Sequence, residues 1–230
     1  MKIEFIKKHR FLFNVCIKLH NLFFNRVRIK KGNIFKTGLV YLKNCRIHVD
    51  GLHNEIQIAD FTRLINCEIT VLGNNSKILI DNRCYLNELS IYFEDNSDFV
   101  HIGEHTSMDG KIELACIEGT SIIIGKDSMF SRNIHIRTGD AHLILDPKGD
   151  RINYSKNVMI GDHVWVGTGV LITKGCSVGA GSVVGAGAIV TGKEFPKNSI
   201  IAGVPAKVIR ENVFWKRERY YVTQNDNGKR

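Results

Sequence analysis

An all-β parallel helix of stacked coils, with a short helical segment at each end, is the fold class this sequence predicts, and three observations predict it. From residue 158 onward, branched aliphatics stand six apart at Ile160, Val166, Ile172, Val178, Val184 and Val190. In the first half the interval is 22, with columns at Leu42, Leu64, Leu86, Met108 and Phe130, at Ile47, Ile69 and Ile91, at Ile56, Ile78, Val100 and Ile122, and at Ile58, Ile80, Ile102 and Ile124. The third is the balance of 21 glycines against three prolines, which suits many tight turns between short strands.

Six is neither a helical period nor the alternation by two of an ordinary half-buried strand. A six-residue unit is a short strand plus a turn. Three units close one triangular coil, and coils stack about 4.8 Å apart, so the aliphatics form one continuous core. A single coil buries nothing, so the repeat is the folding unit.

The elements follow in order. Residues 1–31 hold nine Lys and Arg against Glu4 alone, which places +8 of the net charge of +9 there. Over 1–28 these cations interleave with Ile3, Phe5, Ile6, Phe11, Leu12, Phe13, Val15, Ile17, Leu19, Leu22, Phe23 and Phe24. That pattern predicts an amphipathic helix that caps the open end of the β-helix and shields its unpaired edge. It also offers contact with an anionic membrane or an acidic glycan. Residues 32–136 carry the 22-residue coils. Since 22 is 18 plus four, we read each as a triangular turn with a four-residue excursion; a larger right-handed coil is the competing reading there. Asn54, Ser76, Asp98 and Thr120 recur in step as turn residues, and Cys45 and Cys67 stack as buried thiols. Residues 137–153 fit neither register, and Pro147-Lys-Gly-Asp150 signals a turn, so this stretch leaves the prism as a loop, a common place for function. Residues 154–210 hold the hexads. In 211–230, Phe214, Trp215, Tyr220 and Tyr221 lie among Lys216, Arg217 and Arg219; a short helix on the last coil is expected, with fraying over 224–230.

At 230 residues, 43% hydrophobic and 24% charged, the composition is that of one elongated globular domain. No run of 18 uncharged apolar residues exists for a spanning helix, and the N-terminus lacks the apolar core of a secretory signal. Six scattered cysteines without CxxC or zinc spacing point to free thiols and a reducing cytoplasm. No nucleic-acid recognition motif accompanies the positive charge.

Three stretches carry a family resemblance: Ile160-Gly-Asp-His-Val-Trp165-Val-Gly, Gly179-Ala-Gly-Ser-Val-Val-Gly-Ala-Gly187, and Ile201-Ala-Gly-Val-Pro-Ala-Lys-Val-Ile-Arg210. They resemble the hexapeptide-repeat acetyltransferases that use acetyl-CoA. Arg137-Thr-Gly-Asp-Ala-His142, Asp146 and Arg151-Ile-Asn153 look like the branch that O-acetylates surface polysaccharides, polysialic acid among them. The resemblance covers roughly 130–210. It implies a left-handed parallel β-helix, a triangular prism of stacked coils, and a homotrimer with each active site between adjacent subunits.

In such enzymes a loop histidine removes the proton of the acceptor hydroxyl, and His142 occupies that place. An imidazole titrating near 6.5 suits the task. Asp140 or Asp146 is the candidate to hold its other ring nitrogen. Trp165 ends its hexad and points outward, against the cofactor or near the reacting carbonyl. Thr168, Ala186 and Thr191 match positions that bond the cofactor's thiol arm. Lys193, Lys207 and Arg210 match basic positions near the CoA phosphates, though Gly192 sets Lys193 one residue beyond the common spacing.

His101, His105, His135 and His163 do not match the three-histidine zinc pattern of the carbonic anhydrases that share this fold, so no metal is expected. Cys176, at a small-residue corner, reads as core rather than nucleophile. The expected function is acetyl transfer from acetyl-CoA to a hydroxyl of an acidic or neutral glycan, polymer or precursor. The alternatives are N-acetylation of an amino sugar, and a non-catalytic β-helix that binds glycan or membrane. A cytoplasmic protein, peripheral on the inner membrane face through residues 1–28, fits these features.

Overall fold

In a computed structural model, which describes residues 10–218, one helix precedes 23 short strands wound into a parallel β-solenoid. One face is an eight-stranded sheet with one strand per coil, so there are eight coils. Face one runs from Arg26–Ile29 through Arg46–Val49 and Glu68–Val71 to Ile189–Val190. Face two runs from Ile34–Thr37 to Glu194–Phe195, and face three from Tyr41–Lys43 to Ile200–Gly203. Strands Tyr85–Phe93 and Ser107–Cys116 continue around the corner from face three into face one.

The columns read from the sequence are rungs. Leu42 pairs with Leu64, then Leu86, Met108 and Phe130 follow in register. Ile58, Ile80, Ile102 and Ile124 continue without a break into Ile160, Val178 and Phe195. The 22-residue and six-residue registers therefore share one core, and every member of this column is buried. Each such side chain contributes about 1.5–3 kcal/mol on burial.

The extra four residues per coil are not an excursion. Cys67, Ile69 and Val71, then Ser76, Ile78 and Ile80, then Cys84 and Leu86 all face inward. In the hexad coil, Val170 and Ile172, Cys176 and Val178, Ser182 and Val184 do so. Faces one and two each gain one inward residue, and the alternation of a strand requires two residues for each.

Asn54, Ser76, Asp98 and Thr120 do stand at a corner, but buried. The first three each accept the next coil's backbone amide: Ser76 N donates to Asn54 Oδ1 at 2.8 Å, Asp98 N to Ser76 Oγ at 3.1 Å and Thr120 N to Asp98 Oδ1 at 3.2 Å. Such an internal ladder satisfies corner amides that the sheets leave unpaired. Cys45 and Cys67 are buried free thiols, each donating to a carbonyl at 3.3 Å, Leu64 and Leu86 respectively.

Helix α1, Arg10–Phe23, closes the first coil. Asn21 Nδ2 donates to Val40 O at 2.8 Å and its Oδ1 accepts from Leu42 N at 3.0 Å; Asn25 Oδ1 accepts from Cys45 N at 2.8 Å. Two side-chain amides thus stand in for a missing rung on an open edge. The expected helix over residues 1–9 and the fraying of 224–230 lie outside the described residues. The expected C-terminal helix is absent over 211–218. There Val213, Trp215 and Arg217 face the prism while Phe214, Lys216 and Glu218 face out, a period of two that only an extended chain produces. Among the described residues no helix is long and apolar enough to cross a membrane.

Candidate active site

The loop departs between faces one and two of the sixth coil, after Ile134–Arg137 and before Val158–Ile160. Its base is tied to that corner. Thr138 Oγ1 accepts from Ile117 N at 3.1 Å and bonds Thr120 Oγ1 at 2.6 Å, which joins the loop to the internal ladder. Arg151 pairs with Glu118 at 2.7 Å. Within the loop, Ile144 N donates to Asn153 Oδ1 at 2.9 Å and Ile152 N to Ile144 O at 2.9 Å. Asn153 Nδ2 donates to His142 O at 2.7 Å, so the backbone at the histidine is fixed while its side chain stays exposed.

Neither candidate carboxylate is bonded to the His142 ring. Asp146 closes its own turn, accepting from Lys148 N at 2.8 Å and Asp150 N at 2.9 Å. Asp140 bonds the Lys174 ammonium and the Asn153 amide. Those two groups, Lys174 foremost, hold its carboxyl below the ordinary range.

Trp165 lies on face three, between Met129 and Val183 in the adjacent rungs, and is 38% exposed. It lines a groove of about 710 Å³ with Thr168, Tyr85, Arg132, Lys216 and Arg217. Thr168 and Ala186 are consecutive at the corner between faces three and one, with Gly187 N donating to Thr168 O at 2.8 Å. The coils approach so closely that a Cβ at Gly167 would sit 2.7 Å from Ala186 N. Thr191 lies at the end of face one and Lys193 at the following corner. Lys207 and Arg210 are exposed on Ala206–Arg210, which turns back antiparallel against Ile200–Gly203 to finish face three. One chain therefore brings Trp165, Thr168 and Ala186 together. His142 sits over the corner opposite face three.

The chain is 33% identical over 199 residues to the polysialic acid O-acetyltransferase of Neisseria meningitidis, covering 77% of this chain and 92% of that one. The chain belongs to the polysialic acid O-acetyltransferase family. Membership makes it an acetyl-transferring enzyme. It is also 40% identical over 119 residues to the polysialic acid O-acetyltransferase of Escherichia coli O1:K1 / APEC, over 51% of this chain and 38% of that one. The crystal structure of the polySia-specific acetyltransferase NeuO superposes with a TM-score of 0.78 at 31% identity, covering 89% of this chain and 93% of that one. The polysialic acid O-acetyltransferase OatWY does so with a TM-score of 0.70 at 30% identity and the same coverage. No protein-family model matches.

Beside the groove of this acetyltransferase lies a cluster of which the sequence reading weighed His105 and His163 as zinc ligands but missed their shared partner, Asp127. His105, Asp127 and His163 are successive corner residues between faces two and three, all in the left-handed conformation at φ +61°, +54° and +53°. Asp127 bonds His105 Nδ1 at 2.8 Å, His163 Nδ1 at 2.7 Å and Arg217 Nε at 2.9 Å. Burial works against its charge, but these three partners outweigh that and hold the carboxyl below its ordinary range. The 22-residue spacing of His105 and Asp127 was the available signal; Arg217 left none.

Proposed function

We propose that this chain transfers the acetyl group of acetyl-CoA to a hydroxyl of a sialic acid polymer or a related capsular glycan, with His142 as general base. The observation that carries this reading is the likeness to NeuO and OatWY along nine-tenths of the chain. His142 takes the hydroxyl proton as the oxygen attacks the thioester carbonyl. The tetrahedral intermediate collapses to the ester, and the imidazolium returns the proton to the departing CoA thiolate. Trp165, Thr168 and Ala186 face the reacting end of the donor, Thr191 flanks it, and Lys193, Lys207 and Arg210 serve its phosphates.

The working unit is a homotrimer in which His142 of one copy meets Trp165 of the next. The placement of the loop on the corner opposite face three supports this. The protein works in the cytoplasm, against the inner membrane face. Leu19, Leu22, Phe23 and Phe24 of the N-terminal segment are exposed, beside Lys18, Arg26, Arg28, Lys30 and Lys31. Flotation with anionic vesicles, absent with neutral ones, checks that placement.

The test is free-thiol release from acetyl-CoA across sialic acid polymers, capsular glycans and amino sugars. Acceptor-dependent release with a sialic acid polymer, falling about 10²–10⁴-fold in His142→Ala, is expected. Release with amino sugars alone would turn the reading to N-acetylation. No turnover and no binding of acetyl-CoA would leave a binding scaffold.

A further inference from the structure

The C-terminal segment does more than cover the last coil. Val213 N donates to Asn198 O at 2.9 Å in the eighth coil, and the chain then runs back along the prism toward its N-terminal end. Trp215 reaches the sixth coil and Arg217 the fourth and fifth. We propose that Trp215 is a positioning residue for Trp165, and that residues 213–218 form a strap that builds one wall of the acyl-transfer groove. The inference rests on Trp165 serving the transfer reaction.

Trp165 has little to hold it. It stands on a two-residue strand of a flat face, with a flexible methionine in one adjacent rung and a short valine in the other. The Trp215 ring lies 6.0 Å from it at 44°, a tilted aromatic contact. Pairs of this type shift a two-state population by about 2–12-fold, enough to select one rotamer of an exposed indole.

Trp215, half-buried, is itself held by His163 through three contacts. Its ring stacks on His163 at 4.0 Å and 9°. Its Nε1–H donates to His163 O at 2.9 Å, and His163 Nε2 meets Trp215 O at 3.2 Å. Two residues on, Arg217 gives one guanidinium to four acceptors: Asp127 Oδ1 at 2.9 Å, Ser107 Oγ at 2.9 Å, Ser128 O at 2.8 Å and His105 O at 3.2 Å. A tail that only capped the prism would need none of these contacts, which lie up to four coils from its end. Their result is a groove whose lining includes Lys216, Arg217 and Glu218 of the strap together with Trp165 and Thr168.

The chain has only two tryptophans, so its indole signals belong to this pair. Trp215→Phe keeps a flat ring against both neighbours; Trp215→Ala keeps none; Arg217→Ala loosens the strap without touching either indole. In the full-length protein, Trp215→Ala is expected to lower kcat about tenfold with the acceptor KM unchanged and the melting temperature close to wild type. Trp215→Phe should restore most of kcat. In Trp215→Ala the remaining fluorescence, that of Trp165 alone, should become several-fold more open to acrylamide than in Trp215→Phe. Arg217→Ala should weaken the near-ultraviolet circular dichroism of the indole pair and lower kcat in the same direction. Unchanged kcat in Trp215→Ala, or equal quenching of Trp165 in the Ala and Phe variants, overturns the proposal. If Trp215→Ala does not fold, Arg217→Ala with unaltered indole dichroism and unaltered kcat overturns it as well. A wild type without transferase activity defeats the functional reading instead, and the quenching comparison still decides whether the strap orders Trp165.

Discussion

Asp98 is 1% exposed, in the middle of the internal corner ladder. Its Oδ1 accepts from Thr120 N, while its Oδ2 is buried without a partner. Burial, reinforced by the nearby charge of Asp95, raises its pKa from 3.8 to about 6. A carboxyl raised in the folded state holds its proton where the unfolded chain has released it. Its effect on stability is therefore nil below the unfolded pKa near 4, and a penalty develops as pH rises to about 6 and persists above. A shift of about two units corresponds to roughly 3 kcal/mol. Asp98→Asn keeps an oxygen for Thr120 N and cannot ionise. Urea unfolding at fixed protein concentration, at pH 4 and pH 7, reads the difference. The variant should gain roughly 2–3 kcal/mol on the wild type between the two pH values, since a small part of the penalty is already present at pH 4. The comparison rests on the change in difference, since a stacked-coil protein need not unfold in one step. Parallel stability curves for the two proteins from pH 4 to 7 would refute the argument.

His142→Ala and Trp165→Ala should each be nearly inactive alone. With the proposed site between copies, mixed assemblies made by co-expression should recover a measurable fraction of wild-type turnover, because some sites then draw both residues from intact copies; no recovery contradicts an intersubunit site. Asn25→Ala leaves Cys45 N on the open edge without its acceptor and should cost about 1–3 kcal/mol, read by thermal unfolding. Gly167→Ala forces a methyl against Ala186 N; a loss of about 1–3 kcal/mol and a raised KM for acetyl-CoA are expected, against an unchanged KM if that corner does not face the donor.

What the sequence made legible was whatever the coil repeats. The aliphatic columns needed only their intervals, and each proved to be a rung. The content of the longer coil was harder, because an interval of 22 does not say where the four residues go. The alternation at Cys67, Ile69 and Val71, and again at Ser76, Ile78 and Ile80, held the answer. Single-copy features were the ones missed. Lys174 meets Asp140 only because the loop folds onto its corner, and no spacing encodes that. Trp215 read as one more aromatic in a basic tail. The alternation of Val213, Trp215 and Arg217 favoured an extended chain, and the mixture of rings and cations around it obscured the signal.

The prism geometry also constrains how the proposed site can form. His142 is carried by a loop whose anchors, Thr138, Arg151 and Asn153, all engage the corner between faces one and two or the loop itself. Trp165 and its groove belong to face three, which a triangular section sets opposite that corner. Stacked coils joined by unbroken ladders do not bend to close that separation. A second copy does, if its face three lies against the loop-bearing corner of the first. The contact is heterologous, since a corner meets a face, and a heterologous contact that closes makes a ring. Three prisms around one axis are such a ring, with every loop facing a neighbour's groove. In that arrangement the strap fixes Trp165 from within one copy while the histidine arrives from the next, so substitutions at Trp215 and at His142 should depress turnover through different subunits of the same assembly.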